Sequence, residues 1–487
     1  METTAQADTR DGPPHRGIWS RPYRFLTLGL VLTAVAAAFE QLSVATTMPA
    51  VVRDLGGLSL YGWVFSTFML TMIIGLTVGG GEVDRLGPLR PFLSGVLLFA
   101  LGLMVAGLAP AMPVLIAGRV VQGLGTGFIA SVIYAAIGRG YPETIRPRML
   151  ALISSAYTLP SLIGPALAGL VADYLGWRWI FLGLAPLLPL AAALAVPALR
   201  RFERASTEPR DWGRIGAAAR LAAGAGILMS GLGSYQTILL TVVLIGIGAA
   251  LAISALRRLL PTGSSQVVGL SAALFTATLL NMAFFGVDAF VPLALTTVRS
   301  QTASFAGLAL TAATISWVAS AWLQAYLAPR QSRRVLVIAG VALIIIGIGG
   351  IIAVLQPDVP VWLAFLAWGI AGLGMGFASP TLTLVSMELA PSGQEGASTS
   401  AMGQAGILGI ALGTGIGGVI IGNANSGSSV SPESVAIHSL LMVGMLVIAV
   451  WIARRLPGRS QQAMEVEQSA DSHYGSSGIE GVAGSHT

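Results

Sequence analysis

Apolar residues fill most of this chain in runs of about 20, and polar residues collect in the short gaps between them. Wound as an α-helix, such a run spans roughly 30 Å, the thickness of a bilayer's hydrocarbon core. In lipid every backbone N–H and C=O must be satisfied within the segment, so each run is predicted to be a transmembrane helix. The runs lie near residues 25–47, 60–81, 91–109, 113–137, 149–173, 178–198, 213–233, 235–256, 268–293, 302–327, 335–355, 360–386, 397–421 and 435–453, which makes fourteen. The seventh is rich in Ala and Gly and carries Arg220 near its start. Residues 199–212 form the longest charged internal loop. The tail at 457–487 is rich in Ser, Gly and Gln and is expected to lack fixed structure. The first run contains Ala36-Ala37-Ala38, which mimics a signal-peptide cleavage site. Its helical character continues through Glu40 to Thr47, so it is read as a retained span.

Composition agrees with this pattern and removes several kinds of chemistry. The chain is 54% hydrophobic and 10% charged, with a mean hydropathy of +0.79, the profile of a polytopic membrane protein. Its 61 glycines suit close helix packing in lipid. There is no cysteine, which excludes disulfides and thiolate chemistry. All 27 basic residues are Arg, so no Walker A loop exists, and any pumping must draw on a gradient. No metal or cofactor is expected: His15, His473 and His486 are in the tails, and His438 stands alone. The net charge of +6 does not mark a nucleic-acid binder, because the arginines are scattered through short loops. With the N-terminus inside, 22 of the 27 arginines fall in inner loops and tails, and only Arg53, Arg178 and Arg299 in outer loops. That asymmetry predicts a multi-pass protein of the cell (inner) membrane with both termini cytoplasmic. The bilayer is the expected partner, and no obligate protein partner is evident.

An internal repeat fixes the architecture. Gly123-Leu-Gly-Thr-Gly-Phe128 recurs as Gly372-Leu-Gly-Met-Gly-Phe377, an offset of 249. The same offset aligns Pro142 with Pro391, Gly164 with Gly413 and Gly169 with Gly418, without a gap. Spans four and five therefore correspond to spans twelve and thirteen. The expected all-α arrangement is 6+2+6: tail 1–24, bundle 25–198, loop and inserted pair 199–258, bundle 259–456, tail 457–487.

Three ionisable residues lie well inside spans: Glu40, Arg119 and Asp288. A guanidinium at mid-membrane costs about 2.5–3.5 kcal/mol even on the mildest scale, so Arg119 should face a bundle interior and have a partner. The plainer alternative is an arginine snorkelling from a helix end. Gln122 and Thr126 share the face of Arg119, and Gly123, Gly125 and Gly127 clear the neighbouring surface for another helix. Glu40, Ser43 and Thr47 share one face of the first span, and Asn281 and Asp288 one face of the ninth, with Phe285 nearby. Burial disfavours a carboxylate's charge while a nearby guanidinium favours it, so an acid held between the two can exchange a proton as access alternates. For Asp288 a place near the outer interface stays open, because Pro292 follows. Ser43, Gln122, Tyr157, Asn281, Phe285 and Trp317 are the candidates for a substrate cavity. Tyr134, Trp322 and Trp368 are read as packing or interfacial aromatics, and Asp173 as a solvated acid at an outer helix end.

Several short motifs carry a resemblance. Gly80-x-x-x-Asp84-Arg85-x-Gly87, followed by Arg90, resembles the loop signature of major facilitator transporters, with Pro88 and Leu89 at two usually basic positions. Arg119, Gln122, Gly123, Gly125 and Gly127 resemble that family's fourth-helix signature. Gly164-Pro165-x-x-Ala168-Gly169 resembles the fifth-helix signature of its antiporters, with Pro160 and Ala151 at upstream glycine positions. Gly176-Trp-Arg-Trp-Ile-Phe181 resembles a helix start common in drug exporters. Glu40 precedes Pro49 by nine residues, as an Asp does in fourteen-helix drug:H⁺ antiporters.

The resemblance implies a transporter and not an enzyme: two six-helix bundles rocking about a central site. It implies proton-coupled export of amphipathic small molecules such as drugs, with symport, uptake, or lipid and metabolite transport as the alternative. Glu40, Arg119 and Asp288 would couple protons. Gly123, Gly127, Gly164, Pro165 and Gly169 would pack helices, and Asp84, Arg85 and Arg90 would gate. The repeat adds a gate of its own. The offset pairs Arg139 with Glu388 and Arg146 with Glu395, which predicts that opposite charges latch two equivalent inner loops when the inside is shut.

Overall fold

The computed structural model describes residues 17–202, 210–233, 238–259, 268–390, 394–424 and 430–458. Among them are sixteen α-helices: α1 (Arg24–Leu55), α2 (Tyr61–Leu86), α3 (Leu89–Gly107), α4 (Met112–Gly140), α5 (Arg146–Tyr174), α6 (Arg178–Leu182), α7 (Leu187–Leu199), α8 (Trp212–Gly233), α9 (Ile238–Leu259), α10 (Val268–Asp288), α11 (Val291–Leu293), α12 (Ala303–Leu327), α13 (Arg333–Val354), α14 (Leu363–Glu388), α15 (Glu395–Ala424) and α16 (Pro432–Ala453). They make fourteen helical segments long and apolar enough to cross a membrane, with α6–α7 and α10–α11 each forming one interrupted span. Most of the N-terminal tail and the tail from residue 459 lie outside the described residues.

Two boundaries differ from the hydrophobic pattern for a shared reason. The first helix continues through a buried Pro49 to Leu55, beyond the apolar run. A proline inside a transmembrane helix is tolerated when neighbouring helices satisfy the freed backbone. In the ninth span the proline does break the helix. Pro292 has no N–H, and its ring clashes with the carbonyl four residues back, which is Asp288. α10 ends there, and the chain resumes as α11 and a π-turn over Ala294–Val298. Asp288 therefore sits at a helix terminus in mid-bundle.

The two bundles repeat one another in packing. α4 lies against α2 and α3, and α14 lies against α12 and α13. A Cβ at Gly123 would run into the Phe68 carbonyl, and one at Gly127 into the Met72 carbonyl. Their equivalents Gly372 and Gly376 stand in the same way against the Ala313 and Trp317 carbonyls. Gly164 differs: a Cβ there would meet the Phe39 ring at 3.6 Å, an ordinary contact, so close approach does not demand a glycine.

The halves meet along two seams, α2 against α15 and α5 against α12. Both are sealed toward the end that carries Asp173. Gly62 lies against the Gly418 Cα, and a Cβ there would be 2.7 Å from it. Ser66 donates to the Ala411 carbonyl at 2.7 Å. Asp173 accepts hydrogen bonds from the Ala303 and Ser304 N–H groups at 3.2 and 2.9 Å and from the Ser304 hydroxyl at 2.6 Å. Expected as a merely solvated acid, Asp173 instead caps α12 from the other half, where the helix N-terminus attracts negative charge. The inserted helices α8 and α9 pack on each other, and α8 lies across α2 and α15.

Candidate functional site

Glu40 on α1 and Arg119 on α4 form an ion pair inside the N-terminal bundle, exposed 0% and 1%. Arg119 Nη1 donates to Glu40 Oε1 and to Gln122 Oε1, the latter at 3.0 Å. Its Nε donates to the Val64 carbonyl of α2 at 3.1 Å, and the guanidinium lies over the Phe68 ring, 4.1 Å from the centroid. The arginine is held from α1, α2 and its own helix and does not snorkel. Glycines make this possible, because Gly123 lets α2 approach closely enough for Val64 and Phe68 to reach it. Within the described residues, Glu40 Oε2, Gln122 Nε2 and Ser43 Oγ are buried with no hydrogen-bond partner. The arginine therefore engages one oxygen of the Glu40 carboxyl and leaves the other unpaired.

The second acid occupies a related place in the other half. Asp288 Oδ1 accepts from Trp368 Nε1 on α14 at 2.8 Å. The offset of 249 makes Trp368 the equivalent of Arg119, and the equivalent of Glu40 is Ala289, next to Asp288. Each half thus sets an acid on its first helix against a donor on its fourth. One donor is a cation and the other a neutral indole, so the Trp368 contact supplies Asp288 with a hydrogen bond and no counter-charge.

Asp288 also lines a cavity of about 380 Å³ between the halves, with Tyr157, Phe284, Phe285 and Trp317. Phe284 stacks on Trp368 at 5.1 Å and meets Trp317 edge-on at 5.7 Å. Of the residues expected in a substrate cavity, Tyr157, Phe285 and Trp317 lie in this wall. Ser43 and Gln122 are fully buried at the level of the ion pair. Asn281 donates to the Ala277 carbonyl of its own helix at 2.8 Å. These three stand away from the lining. Phe284 and Trp368 were not singled out for these places by the sequence pattern, although the repeat offset points from Arg119 to Trp368.

At the opposite end from Asp173, the charged loops pair within their own halves. Arg139 donates to Asp84 at 2.8 Å, and Arg333 donates to Glu388 at 2.7 Å. The offset relates Asp84 to Arg333 and Arg139 to Glu388, so one ion pair occurs twice with its signs exchanged. Arg146 donates to the Tyr141 carbonyl at 2.9 Å and lies 3.6 Å from Glu143. Arg85 and Arg210 both reach the largely buried Glu82, at 3.3 and 2.6 Å. Arg90 is exposed. The side chain of Glu395 lies outside the described residues. Among the described residues no group of His, Asp and Glu is placed to hold a metal ion.

Known proteins place this arrangement. The chain is 29% identical to a probable multidrug-efflux transporter of Mycobacterium tuberculosis, over 89% of this chain and 96% of that protein. It is 27% identical to multidrug resistance protein 3 of Bacillus subtilis, over 75% of this chain and 73% of the relative. It is 28% identical to the methylenomycin A resistance protein of Streptomyces coelicolor, over 75% and 76%. Among solved structures, the D-xylose–proton symporter superposes with a TM-score of 0.62 at 15% identity, covering 89% of this chain and 98% of that one. An inward-facing bacterial homologue of the human lysosomal transporter Spinster gives 0.64 at 14% identity, over 89% and 97%. At such identities the likeness concerns the fold alone. The family pattern itself matches residues 30–414, most of the chain, and with the two six-helix bundles around an inserted pair it makes this chain a member of the Major Facilitator Superfamily of transporters.

Proposed function

We propose that the chain is a proton-coupled exporter of amphipathic small molecules that works by alternating access. The observation that carries this reading is the buried Glu40–Arg119 pair with one carboxylate oxygen open, set in a bundle that also walls an acidic, aromatic cavity. Protonating Glu40 removes the counter-charge of Arg119 while the guanidinium keeps its contacts to Val64, Gln122 and Phe68. The pair then costs a different amount in each orientation of the bundles, which is what couples a proton to a conformational equilibrium. The names of the relatives support drugs as the exported class. A susceptibility screen with the gene over-expressed and deleted, repeated with a protonophore, tests the whole reading. Resistance that rises with expression and collapses with the protonophore is expected; resistance indifferent to both would refute it.

The arginine asymmetry supports cytoplasmic termini; on that reading the sealed Asp173 end is the outer one, as in an inward-open state. Asp288 is assigned a second role, recognising positive charge in the cavity. Asp288→Asn is expected to cut export of cationic compounds about tenfold, the loss of roughly 1.4 kcal/mol, and to leave neutral ones near wild type. Minimum inhibitory concentrations across a charged and neutral series check this, and an unchanged profile would make Asp288 structural.

The charge-swapped pairs act as the inner gate. In the inward-open state each pair is satisfied within its own half; on closure, pseudo-two-fold symmetry brings Asp84 toward Arg333 and Arg139 toward Glu388. The expected Arg139–Glu388 latch is therefore one half of a partner exchange, with Arg146 and Glu395 at its edge. Exchanging Arg333→Glu with Glu388→Arg keeps the internal pair but makes the halves repel. Rim contacts are worth about 0–1 kcal/mol each, so the inner side should open several-fold more often. With a single cysteine introduced on the inner side of each protein, since the chain has none of its own, adding Asp84→Arg with Arg139→Asp should restore the accessibility that thiol has in the otherwise wild-type protein. Equal accessibility in all three proteins would sink the gate.

A further inference from the structure

The central cavity is not walled evenly. A second cavity, about 570 Å³, lies on the flank of the protein between α5 and α12, bounded by Ser154, Ser155, Leu159, Trp322 and Ala325. Thr158, Trp317 and Val318 line both this cavity and the central one, so a single layer of side chains separates them. Leu159 and Trp322 are 58% and 77% exposed on the bilayer-facing surface. The α5–α12 seam is sealed by Asp173 and by Gly307 against the Pro165 carbonyl, both toward the Asp173 end. The flank opening lies on the other side of those contacts, toward the ends of the helices at Arg146 and Leu327.

The pseudo-equivalent seam, α2 against α15, is shielded from lipid along its middle by the inserted helix α8, and the cavity of about 460 Å³ at its inner end is lined by the charged groups Glu82, Asp84, Arg85, Arg210 and Arg214. There the inserted helix α8 buries Leu221, Ala225 and Met229 in one cluster with Phe68, Met69, Leu408 and Ala411. The inserted pair thus covers one of two related seams and leaves the other to lipid.

From this asymmetry we propose that the α5–α12 opening is a lateral portal, through which a cationic amphiphile dissolved in the cytoplasmic leaflet enters the central cavity. The chemistry along it is graded. Trp322 and Leu159 offer apolar surface at the mouth, the hydroxyls of Ser154, Ser155 and Thr158 solvate a head group in passage, and Asp288 waits inside. An amphiphile is concentrated in the leaflet by its apolar body, and the hydroxyls reduce the cost of drawing its charge through a low-dielectric wall. The proposal rests on the export reading for the direction of transport only.

Because the chain has no cysteine, single thiols can be placed without background. Nitroxides on Ser155→Cys and Thr158→Cys in nanodiscs are compared with Leu366→Cys on the lipid-facing side of α14. Lipid-dissolved oxygen should relax the first two at least half as strongly as the third; access by a water-soluble nickel chelate alone would overturn the portal. The plug Ser155→Trp with Ala325→Trp should slow loading of radiolabelled tetraphenylphosphonium from the bilayer about tenfold and leave its equilibrium affinity unchanged. Unchanged loading overturns the portal while export by wild-type vesicles stands. If wild-type vesicles export nothing, the export reading fails, and the nitroxide comparison still decides the portal.

Discussion

Glu40→Gln membranes will insert the protein and will not accumulate substrate against a pH gradient. The amide is nearly isosteric with the acid and still offers Arg119 an oxygen, so the bonds to Val64 and Gln122 survive. What disappears is the counter-charge and the site that takes a proton. Breaking a buried ion pair costs about 3–5 kcal/mol of stability. The Phe68 face under the guanidinium is present in both proteins and keeps the arginine in place without offsetting that cost. The variant should therefore be less stable but folded, should exchange substrate down its gradient, and should pump no better than empty vesicles. Uptake of tetraphenylphosphonium into inside-out vesicles, read alongside size-exclusion of the purified variant, checks both halves. Wild-type pumping would remove Glu40 from the coupling.

Arg119→Lys will lose at least about tenfold in transport although the charge is kept, because an ammonium cannot reproduce the fork and the plane of a guanidinium. Arg119 uses Nε toward α2 and Nη1 toward α1 and Gln122 while its plane covers Phe68. A single ammonium nitrogen cannot hold all four contacts. Arg119→Ala is expected to be worse, since it leaves Glu40 in an apolar bundle without its counter-charge and removes the contacts to Val64 and Gln122 as well. Combining Arg119→Ala with Glu40→Gln should recover thermal stability relative to Arg119→Ala alone and recover no transport. That split separates a coupling role from a structural one: if stability and transport returned together, the pair would be scaffolding. Thermal melts and vesicle uptake on the same four proteins supply the comparison.

The fourteen spans were legible because bilayer thickness dictates the length of an apolar run. Their interruptions were not. Pro49 and Pro292 look alike in sequence, yet one is absorbed in a continuous helix and the other ends α10, and packing decides which. The Arg119 environment was legible from cost alone, since a mid-membrane guanidinium must be satisfied. The repeat was legible for a similar reason: Gly123 and Gly372 each leave room for a facing carbonyl, and that demand recurs in both halves. Helix faces proved a weaker guide. Ser43 and Asn281 share faces with the acids but not the cavity, because a face gives a direction from one axis and not the identity of the neighbour. Trp368 passed for a packing residue because its sequence context is apolar; only the offset marks it as the counterpart of Arg119. Asp173 passed for a solvated acid because its donors lie 130 residues away on α12.

The central claim is that substrate movement and proton movement meet at Glu40. Inside-out vesicles with an acidic lumen and a trapped pH dye test it most directly, on addition of tetraphenylphosphonium. The account predicts that the lumen turns more alkaline with wild-type protein and stays unchanged with Glu40→Gln at equal expression. The same substrate-dependent proton release in both would contradict it.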